Sequence, residues 1–458
     1  MSMKNFDAVI IGFGKGGKTL AAALAGNGKS VALIERSNKM YGGTCINVGC
    51  IASKSLVTSA KASAAQGGFY EERAARYMEA VQERERVTSM LRQKNYDKLA
   101  SNPNVAVFTG IAEFSGEKSV VIRFEDGSVQ EVGAPQIFIN TGSRPFIPPI
   151  EGVKESKHIY LSETLMSLET LPPRLVIIGG GYIGVEFASM YANFGSEVTI
   201  IQDTASFLPR EDEEIGEAVL HRLKAMGVKV LFSAKVQKII DEEDYAKVMV
   251  QLPGGQELLS AEAVLIAAGR RPNPGELHPE RAGVALTERG AVLVDEHLRT
   301  TAPGIWAMGD VTGGLQFTYI SLDDYRIVKN DVTGSGGRTT SNRGAVPYSV
   351  FLDPPFSRVG LQEKEALEQG YEVAVFKLPA AAIPKAQVLQ ETDGLLKAVV
   401  DRKTKKILGA HLFCAESHEV INILKLAMDA EVPYTVLRDQ IYTHPTMAEA
   451  LNDLFAAK

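Results

Sequence analysis

Residues 6–35, FDAVIIGFGKGGKTLAAALAGNGKSVALIE, and residues 174–201, RLVIIGGGYIGVEFASMYANFGSEVTII, carry one pattern twice. Each has an apolar run, a glycine turn, an alanine-bearing helix and a second apolar run. That is a βαβ unit. The apolar runs do not alternate with polar residues, so their strands are expected to be buried on both faces of a parallel sheet. Two copies placed far apart point to two nucleotide-binding domains rather than a solenoid.

In the first copy, Gly12, Gly14 and Gly17 form G-x-G-x-x-G directly after a strand. The first glycine permits the tight turn, and the second lets the backbone approach a pyrophosphate. The third allows close helix–strand packing, while the helix N-terminus favours the phosphate charge. Glu35 ends the next strand, where a carboxylate accepts hydrogen bonds from both ribose hydroxyls. Gly179, Gly181 and Gly184 repeat the turn in the second copy, but there the strand ends in Gln202. Without an anion at that position nothing repels a 2′-phosphate. The following stretch, QDTASFLPRED, offers only Arg210 as a cation, so NADH and NADPH both stay open.

Between the two units, residues 63–100 are charged and read as a solvated helical connection, and 104–140 read as short strands ending in QIFIN. AVLIAAGRRPN (263–273) and GIWAMGD (304–310) are further buried strands with glycine at their ends. From about residue 345 strands such as YEVAVFKL are followed by helices such as HEVINILKLAMDA, an α+β domain. The expected class is α/β: two Rossmann-like nucleotide-binding domains plus a C-terminal α+β domain.

The net charge of −6 gives no reason to expect nucleic acid or an anionic membrane as partner. No apolar run approaches the roughly 20 residues that span a bilayer, and a cytoplasmic location is expected. Three cysteines in 458 residues is sparse and odd, unlike a secreted disulfide scaffold.

Two of those cysteines, Cys45 and Cys50, stand in GGTCINVGC. A zinc site needs about four ligands, and no histidine lies nearby. A disulfide needs Cα atoms about 4.4–6.8 Å apart, whereas five positions of regular helix rise about 7.5 Å. The pair can therefore close only if a helix starts near Cys50 and the preceding chain folds back, a freedom Gly42, Gly43 and Gly49 supply. Cys50 at a helix N-terminus is expected to have a lowered thiol pKa, with Lys54 one turn away on the same face.

GGTCINVGCIASK closely resembles the redox-active segment of the class I pyridine nucleotide–disulfide oxidoreductases, among them glutathione reductase, lipoamide dehydrogenase and mercuric reductase. GFGKGG, TGSRP, GGGYIGVE, AAGRRPN, AMGD and HPTMAE follow in family order, so the resemblance covers nearly the whole chain. One departure is Ala52, where the family usually has proline. The resemblance implies a homodimer that binds FAD and either NADPH or NADH, with two Rossmann-like domains for FAD and NAD(P)H and a C-terminal α+β dimerisation domain: 1–145 the first part of the FAD domain, 146–272 the NAD(P)H domain, 273–343 the continuation of the FAD domain and 344–458 the dimerisation domain. It implies that Cys45 is the thiol that meets substrate and Cys50 the thiol against the flavin. Lys54 would lie near the flavin, paired with Glu186, and Tyr182 would cover the nicotinamide pocket. Asp310, Thr141 and Gly142 would line FAD, with Gly43, Thr44, Ala112, Ile183 and Gly269 as further cofactor contacts.

Near the C-terminus, His444-Pro445-Thr446 is followed by Glu449. Thr446 and Glu449 read as a capping box for the last helix, and the same carboxylate can orient His444. The resemblance implies that His444 completes the other subunit's site. His411, Cys414 and His418 lie close in sequence, but packing is the expected role and no metal site is assigned.

The runs MYGGTCIN, GDVTGGLQFTYISLDDYRIV, VPYSVFLDPP, AAIPKA and LRDQIYTHPTMAEALNDLF look characteristic of one branch, the RclA-like reductases linked to reactive chlorine resistance. That likeness implies a small-molecule oxidant as substrate, with hypothiocyanous acid the expected one. The chain ends ALNDLFAAK, without the terminal cysteine pair of mercuric reductase, so dedicated mercury reduction is disfavoured. The alternatives are a mercuric or copper ion reductase, a dihydrolipoamide or general disulfide reductase, and a non-enzymatic flavin redox sensor or complex subunit.

Overall fold

The computed structural model describes residues 3–457. The chain divides into two compact units. One comprises residues 1–55, 81–146 and 269–343, and the other 56–80, 147–268 and 344–458.

The first unit is built on a five-stranded parallel sheet. Its order is Ile305–Ala307, Gln136–Ile139, Ala8–Ile11, Val31–Glu35 and Val105–Thr109. Ala8–Ile11 and Val31–Glu35 are buried at every position, as their unbroken apolar runs require. Between these two strands runs the helix Lys15–Gly26, whose Leu20, Ala21, Leu24 and Ala25 are buried. A second sheet pairs Lys4–Asn5, Val129–Gly133, Ser119–Arg123 and Ile111–Gly116. Ser143–Pro145 pairs antiparallel with Arg270–Pro272.

The second unit repeats the first sheet's plan. Ile159–Tyr160, Ala263–Ile266, Arg174–Ile178, Glu197–Ile201 and Lys229–Leu231 form a parallel sheet, with the helix Tyr182–Phe194 following the Gly179 turn. Beside it is an antiparallel three-stranded sheet over residues 235–261. The C-terminal part is a five-stranded antiparallel sheet in the order Tyr348–Val350, Phe356–Gly360, Ile407–Phe413, Leu395–Asp401 and Val373–Pro379. Helices Ser417–Asp429 and Ala450–Ala456 contribute Val420, Ile421, Leu424, Leu451, Leu454 and Phe455 to its core.

The segment 63–100 differs from its solvated reading. It is the end of one helix, Cys50–Gln66, and all of a second, Tyr70–Ala100. The second helix is polar on average, yet Tyr77 and Thr88 are fully buried. The Tyr77 hydroxyl meets Tyr191 Oη at 3.0 Å, and its ring stands edge-on to Phe194 at 5.1 Å. A short apolar stripe at Tyr77, Ala80 and Val81, hidden among charged neighbours, is enough to seat the helix.

Candidate active site

In the first unit the glycine turn is held by backbone proximity. Gly12 has φ +106°, and a Cβ there would stand 2.2 Å from the Asn140 carbonyl oxygen. Glu35 Oε2 accepts the Phe13 N–H at 3.0 Å. Burial pushes this carboxyl up, against the pull of the Phe13, Ser37 and Arg36 N–H groups. Asn140 ties the turn together: Oδ1 accepts the Gly17 N–H at 2.9 Å, and Nδ2 donates to Met308 O at 2.7 Å. No role was assigned to Asn140 from the sequence, although it ends the quoted run QIFIN.

Around this turn lie groups suited to a bound dinucleotide. The Thr141 hydroxyl is buried without a partner, next to Gly142 at φ +72°. The Asp310 carboxylate accepts the Ser143 hydroxyl at 2.7 Å and is pushed up by burial. Ala112 is buried on the strand Ile111–Gly116, and Gly269, at φ +107°, precedes Arg270–Pro272. An unpartnered hydroxyl, a buried acid at the strand end and a glycine turn with no room for side chains fit FAD.

The redox loop meets that turn. Gly43 has φ +81°, and a Cβ on it would stand 2.6 Å from Gly14 Cα, so the two backbones touch. Thr44–Asn47 makes one short helical turn, and a new helix starts at Cys50. The chain thus folds back as a Cys45–Cys50 couple requires. Cys45 is half-buried, Cys50 is exposed, and both are free thiols. Their thiols share a hydrogen bond, which pulls Cys45 down to about 6 against its burial. Thr318, the Lys18 ammonium and the Ile51 N–H pull the same way. Cys50 is pushed up, first by holding that bond and further by the Cys45 charge, while Lys54 opposes this.

This corrects the expectation that the helix N-terminus lowers Cys50. The Ile51 N–H serves the Cys45 sulfur, so Cys45 carries the shared negative charge. Thr318 Oγ1 lies 3.7 Å from Cys50 Sγ. Neither Thr318 nor Lys18 was singled out from the sequence. Thr318 falls in the run GDVTGGLQFTYISLDDYRIV, which was noted only as characteristic of a branch.

In the second unit the glycine turn has the same build with a different acceptor. Gln202 Oε1 accepts the Gly180 N–H at 2.9 Å, as Glu35 does for Phe13, and its Nε2 meets Thr204 Oγ1 at 2.5 Å. Gly184 packs against the Gly179 carbonyl, and Gly179 has φ +112°. A Cβ on Gly181 would meet nothing within 4 Å, which leaves the face that a pyrophosphate approaches open. These features fit a nicotinamide dinucleotide.

Tyr182 and Ile183 open the helix that follows. The Tyr182 hydroxyl donates to Glu211, and Tyr348 donates to the same oxygen at 2.6 Å. Glu186 is buried and accepts the Phe351 N–H at 2.8 Å. Also in this unit, His444 Nδ1 lies 2.8 Å from Glu449 Oε2, and Glu449 Oε1 accepts the Thr446 N–H at 3.2 Å. The Glu449 N–H donates back to Thr446 Oγ1 at 3.3 Å. The reciprocal bonds of the capping box are formed, although the regular helix begins only at Ala450. The His444–Pro445 peptide is cis.

The structure therefore gathers Gly12, Gly14, Gly17, Glu35, Gly43, Thr44, Cys45, Cys50, Lys54, Ala112, Thr141, Gly142, Gly269 and Asp310 in the first unit. Gly179, Gly181, Tyr182, Ile183, Gly184, Glu186, Gln202, His444 and Glu449 belong to the second. Cys414 is a buried core residue, and the His411 ring is buried with Nε2 at 3.2 Å from Leu361 O. Among the described residues no three His, Cys, Asp or Glu side chains group as a metal site, and no helix is long and apolar enough to cross a membrane.

Residues 6–324 match the family model described as pyridine nucleotide-disulphide oxidoreductase, and 346–455 match that family's dimerisation domain. The probable pyridine nucleotide-disulfide oxidoreductase RclA of Escherichia coli (strain K12) is 51% identical over 454 residues, covering 99% of each chain. A mercuric reductase from Staphylococcus aureus is 33% identical over 455 residues, covering 98% of this chain and 81% of its own. Two solved structures are similar. The HOCl-induced flavoprotein disulfide reductase RclA from Escherichia coli has a TM-score of 0.92 at 51% identity, covering 98% of this chain and 99% of that one. A Cu(II) complex of the same reductase has a TM-score of 0.93 at 51% identity, covering 99% of each chain. With its paired glycine turns and its coupled thiols, the chain belongs to the pyridine nucleotide-disulfide oxidoreductases, flavoenzymes that use FAD and NAD(P)H and act on sulfur groups.

Proposed function

We propose that this enzyme reduces a small electrophilic oxidant, hypothiocyanous acid, through the Cys45–Cys50 couple. The observation that carries the reading is the lowered Cys45 thiol, pulled down to about 6 beside a second thiol that is held protonated. A neutral attacking thiol is a poor nucleophile, whereas Cys45 is largely thiolate at neutral pH. The relative's description as an HOCl-induced reductase supports a role in oxidative defence.

The Cys45 thiolate attacks the oxidant's sulfur. A Cys45 S–S bond to the thiocyanate sulfur forms, and the S–O bond breaks to release hydroxide, which takes a proton to become water. Cys50 then loses its proton and attacks Cys45 Sγ. The Cys45–Cys50 disulfide forms, and thiocyanate leaves. Overall, two thiols are oxidised by two electrons and the oxidant is reduced by two. When bound, FAD recharged by NAD(P)H would supply the electron pair that returns the disulfide to the dithiol. His444, oriented by Glu449, would give and take the protons, and we assign it to the partner subunit's site in a homodimer. Thr141, Gly142, Glu35 and Asp310 are assigned to hold FAD, and Gly179, Gly181, Gly184 and Gln202 to hold the nicotinamide dinucleotide. The domain limits proposed are 1–145 and 273–343 for FAD, 146–272 for NAD(P)H and 344–458 for dimerisation. We place the reaction in the cytoplasm, where NAD(P)H is supplied.

The relative's Cu(II) complex favours a second reading, in which the same thiols act on Cu(II). Stopped-flow turnover against hypothiocyanous acid, oxidised glutathione, lipoamide and Cu(II) separates the possibilities. Hypothiocyanous acid is expected to be fastest. A rate no higher than with the disulfide substrates, or with Cu(II), rejects it.

A further inference from the structure

The helix Thr318–Thr333 carries Thr318, Ser321 and Asp324 at spacings of three, so all three lie on one face. Thr318 Oγ1 is the atom 3.7 Å from Cys50 Sγ. Ser321 Oγ accepts the Gly16 N–H at 3.1 Å, in the first turn of the helix Lys15–Gly26. Asp324 Oδ2 accepts the Gly309 N–H at 2.7 Å, and Arg343 Nη2 donates to its other oxygen at 2.7 Å. Asp324 is 2% exposed. A charge so deeply buried is costly unless it is paired and hydrogen-bonded, and here each oxygen has its own donor.

The bond to Gly309 bears on the residue that follows it. The Met308–Gly309 peptide is gripped at both polar groups: Asn140 Nδ2 donates to its carbonyl at 2.7 Å, and its N–H goes to Asp324. Gly309 has φ +78°, and a Cβ on it would stand 2.9 Å from Ser321 Oγ, so the loop lies hard against the helix. Asp310 comes next and opens the turn Asp310–Thr312. A planar peptide fixed on both sides sets the direction in which the Asp310 backbone leaves it, and the Asp310 carboxylate then meets the Ser143 hydroxyl at 2.7 Å.

We propose that Asp324 is a positioning residue for FAD: by holding the Gly309 N–H from the neighbouring helix, it sets the Asp310 carboxylate for the cofactor. The proposal rests on the reading of Asp310 as a residue that holds FAD. No bond forms or breaks at Asp324. An ionised acceptor holds an N–H more strongly than a neutral one, and the Arg343 guanidinium favours the ionised form. Arg343 Nε also lies 3.4 Å from Asp323 Oδ2, and Arg338 Nε donates to Asp323 Oδ1 at 2.9 Å. The neighbouring acid is therefore balanced as well and leaves Arg343 to Asp324.

The test uses the full-length, FAD-loaded enzyme. FAD release on dilution is followed by the rise in flavin fluorescence. Asp324→Leu, which removes both acceptors at similar size, is expected to release FAD about ten-fold faster than wild type. Asp324→Asn, with one acceptor oxygen for two donors, is expected to release it roughly three-fold faster. Asp310→Ala completes a double-mutant cycle. Because Asp324 acts through Asp310, adding Asp324→Leu to Asp310→Ala is expected to change the release rate by less than about two-fold, whereas a general loosening of the fold adds in full. A wild-type release rate in Asp324→Leu overturns the proposal, and so does a fully additive double variant. Should Asp324→Leu not fold, the same cycle with Asp324→Asn decides by the same two outcomes. Failure of the underlying reading shows separately, as an Asp310→Ala enzyme that releases FAD at the wild-type rate.

Discussion

One carboxylate does two jobs near the C-terminus: Glu449 holds His444 Nδ1 at 2.8 Å with one oxygen and receives the Thr446 N–H at 3.2 Å with the other. The cap and the orienting of His444 therefore cannot be separated by removing the side chain. They can be separated by removing its charge or its reach.

Glu449→Gln keeps an acceptor for Thr446 but weakens the bond to His444. Turnover is expected to fall about ten-fold with thermal stability nearly unchanged. Glu449→Ala loses both, and should also cost about 1 kcal/mol in unfolding free energy. Steady-state kinetics and a denaturant titration of both variants check this.

The reactivity of the couple should depend on pH in one direction at the acid end. Cys45, lowered to about 6 chiefly by the Cys50 hydrogen bond, becomes thiolate as pH rises through that value. Below it the thiol is protonated and the rate of attack is lost. The pre-steady-state rate of disulfide formation should therefore climb about ten-fold per unit at acid pH and level off above about 6. Cys50→Ser, which replaces the donor of the shared hydrogen bond, should move the Cys45 alkylation midpoint.

Gln202 occupies in the second glycine turn the place that Glu35 occupies in the first, each accepting the N–H of the residue after the first glycine. Gln202→Glu adds an anion where a 2′-phosphate would lie. It is expected to lower kcat/KM for NADPH about ten-fold or more relative to NADH. Measuring both cofactors with wild type and variant tests it.

The fold was legible because its main signals are local. Two glycine turns between unbroken apolar runs define two parallel sheets, and the change of texture near residue 345 marks the C-terminal antiparallel sheet. Gly43 and a helix start at Cys50 were readable for the same reason. Asn140, Thr318 and Lys18 were not, since each acts on a group far off in sequence: Asn140 on Gly17, Thr318 on Cys50 and Lys18 on the Gly42 loop. Single polar residues of common type carry no pattern that announces such partners. The expectation about Cys50 failed for a related reason. A helix N-terminus predicts where a negative charge is favoured, but the fold-back of the chain brings the Cys45 sulfur to the Ile51 N–H. The buried stripe of the helix Tyr70–Ala100 was masked by the charges around Tyr77.

The relay itself is tested most directly by a single-turnover reaction. Enzyme reduced anaerobically with NAD(P)H is mixed with one equivalent of hypothiocyanous acid, then acid-quenched and mapped by mass spectrometry. The account predicts one Cys45–Cys50 disulfide and one thiocyanate per active site, with Cys414 untouched. It also predicts that Cys45→Ser and Cys50→Ser each abolish steady turnover while FAD stays bound. Oxidant consumed at the wild-type rate while Cys45 and Cys50 remain thiols would contradict it.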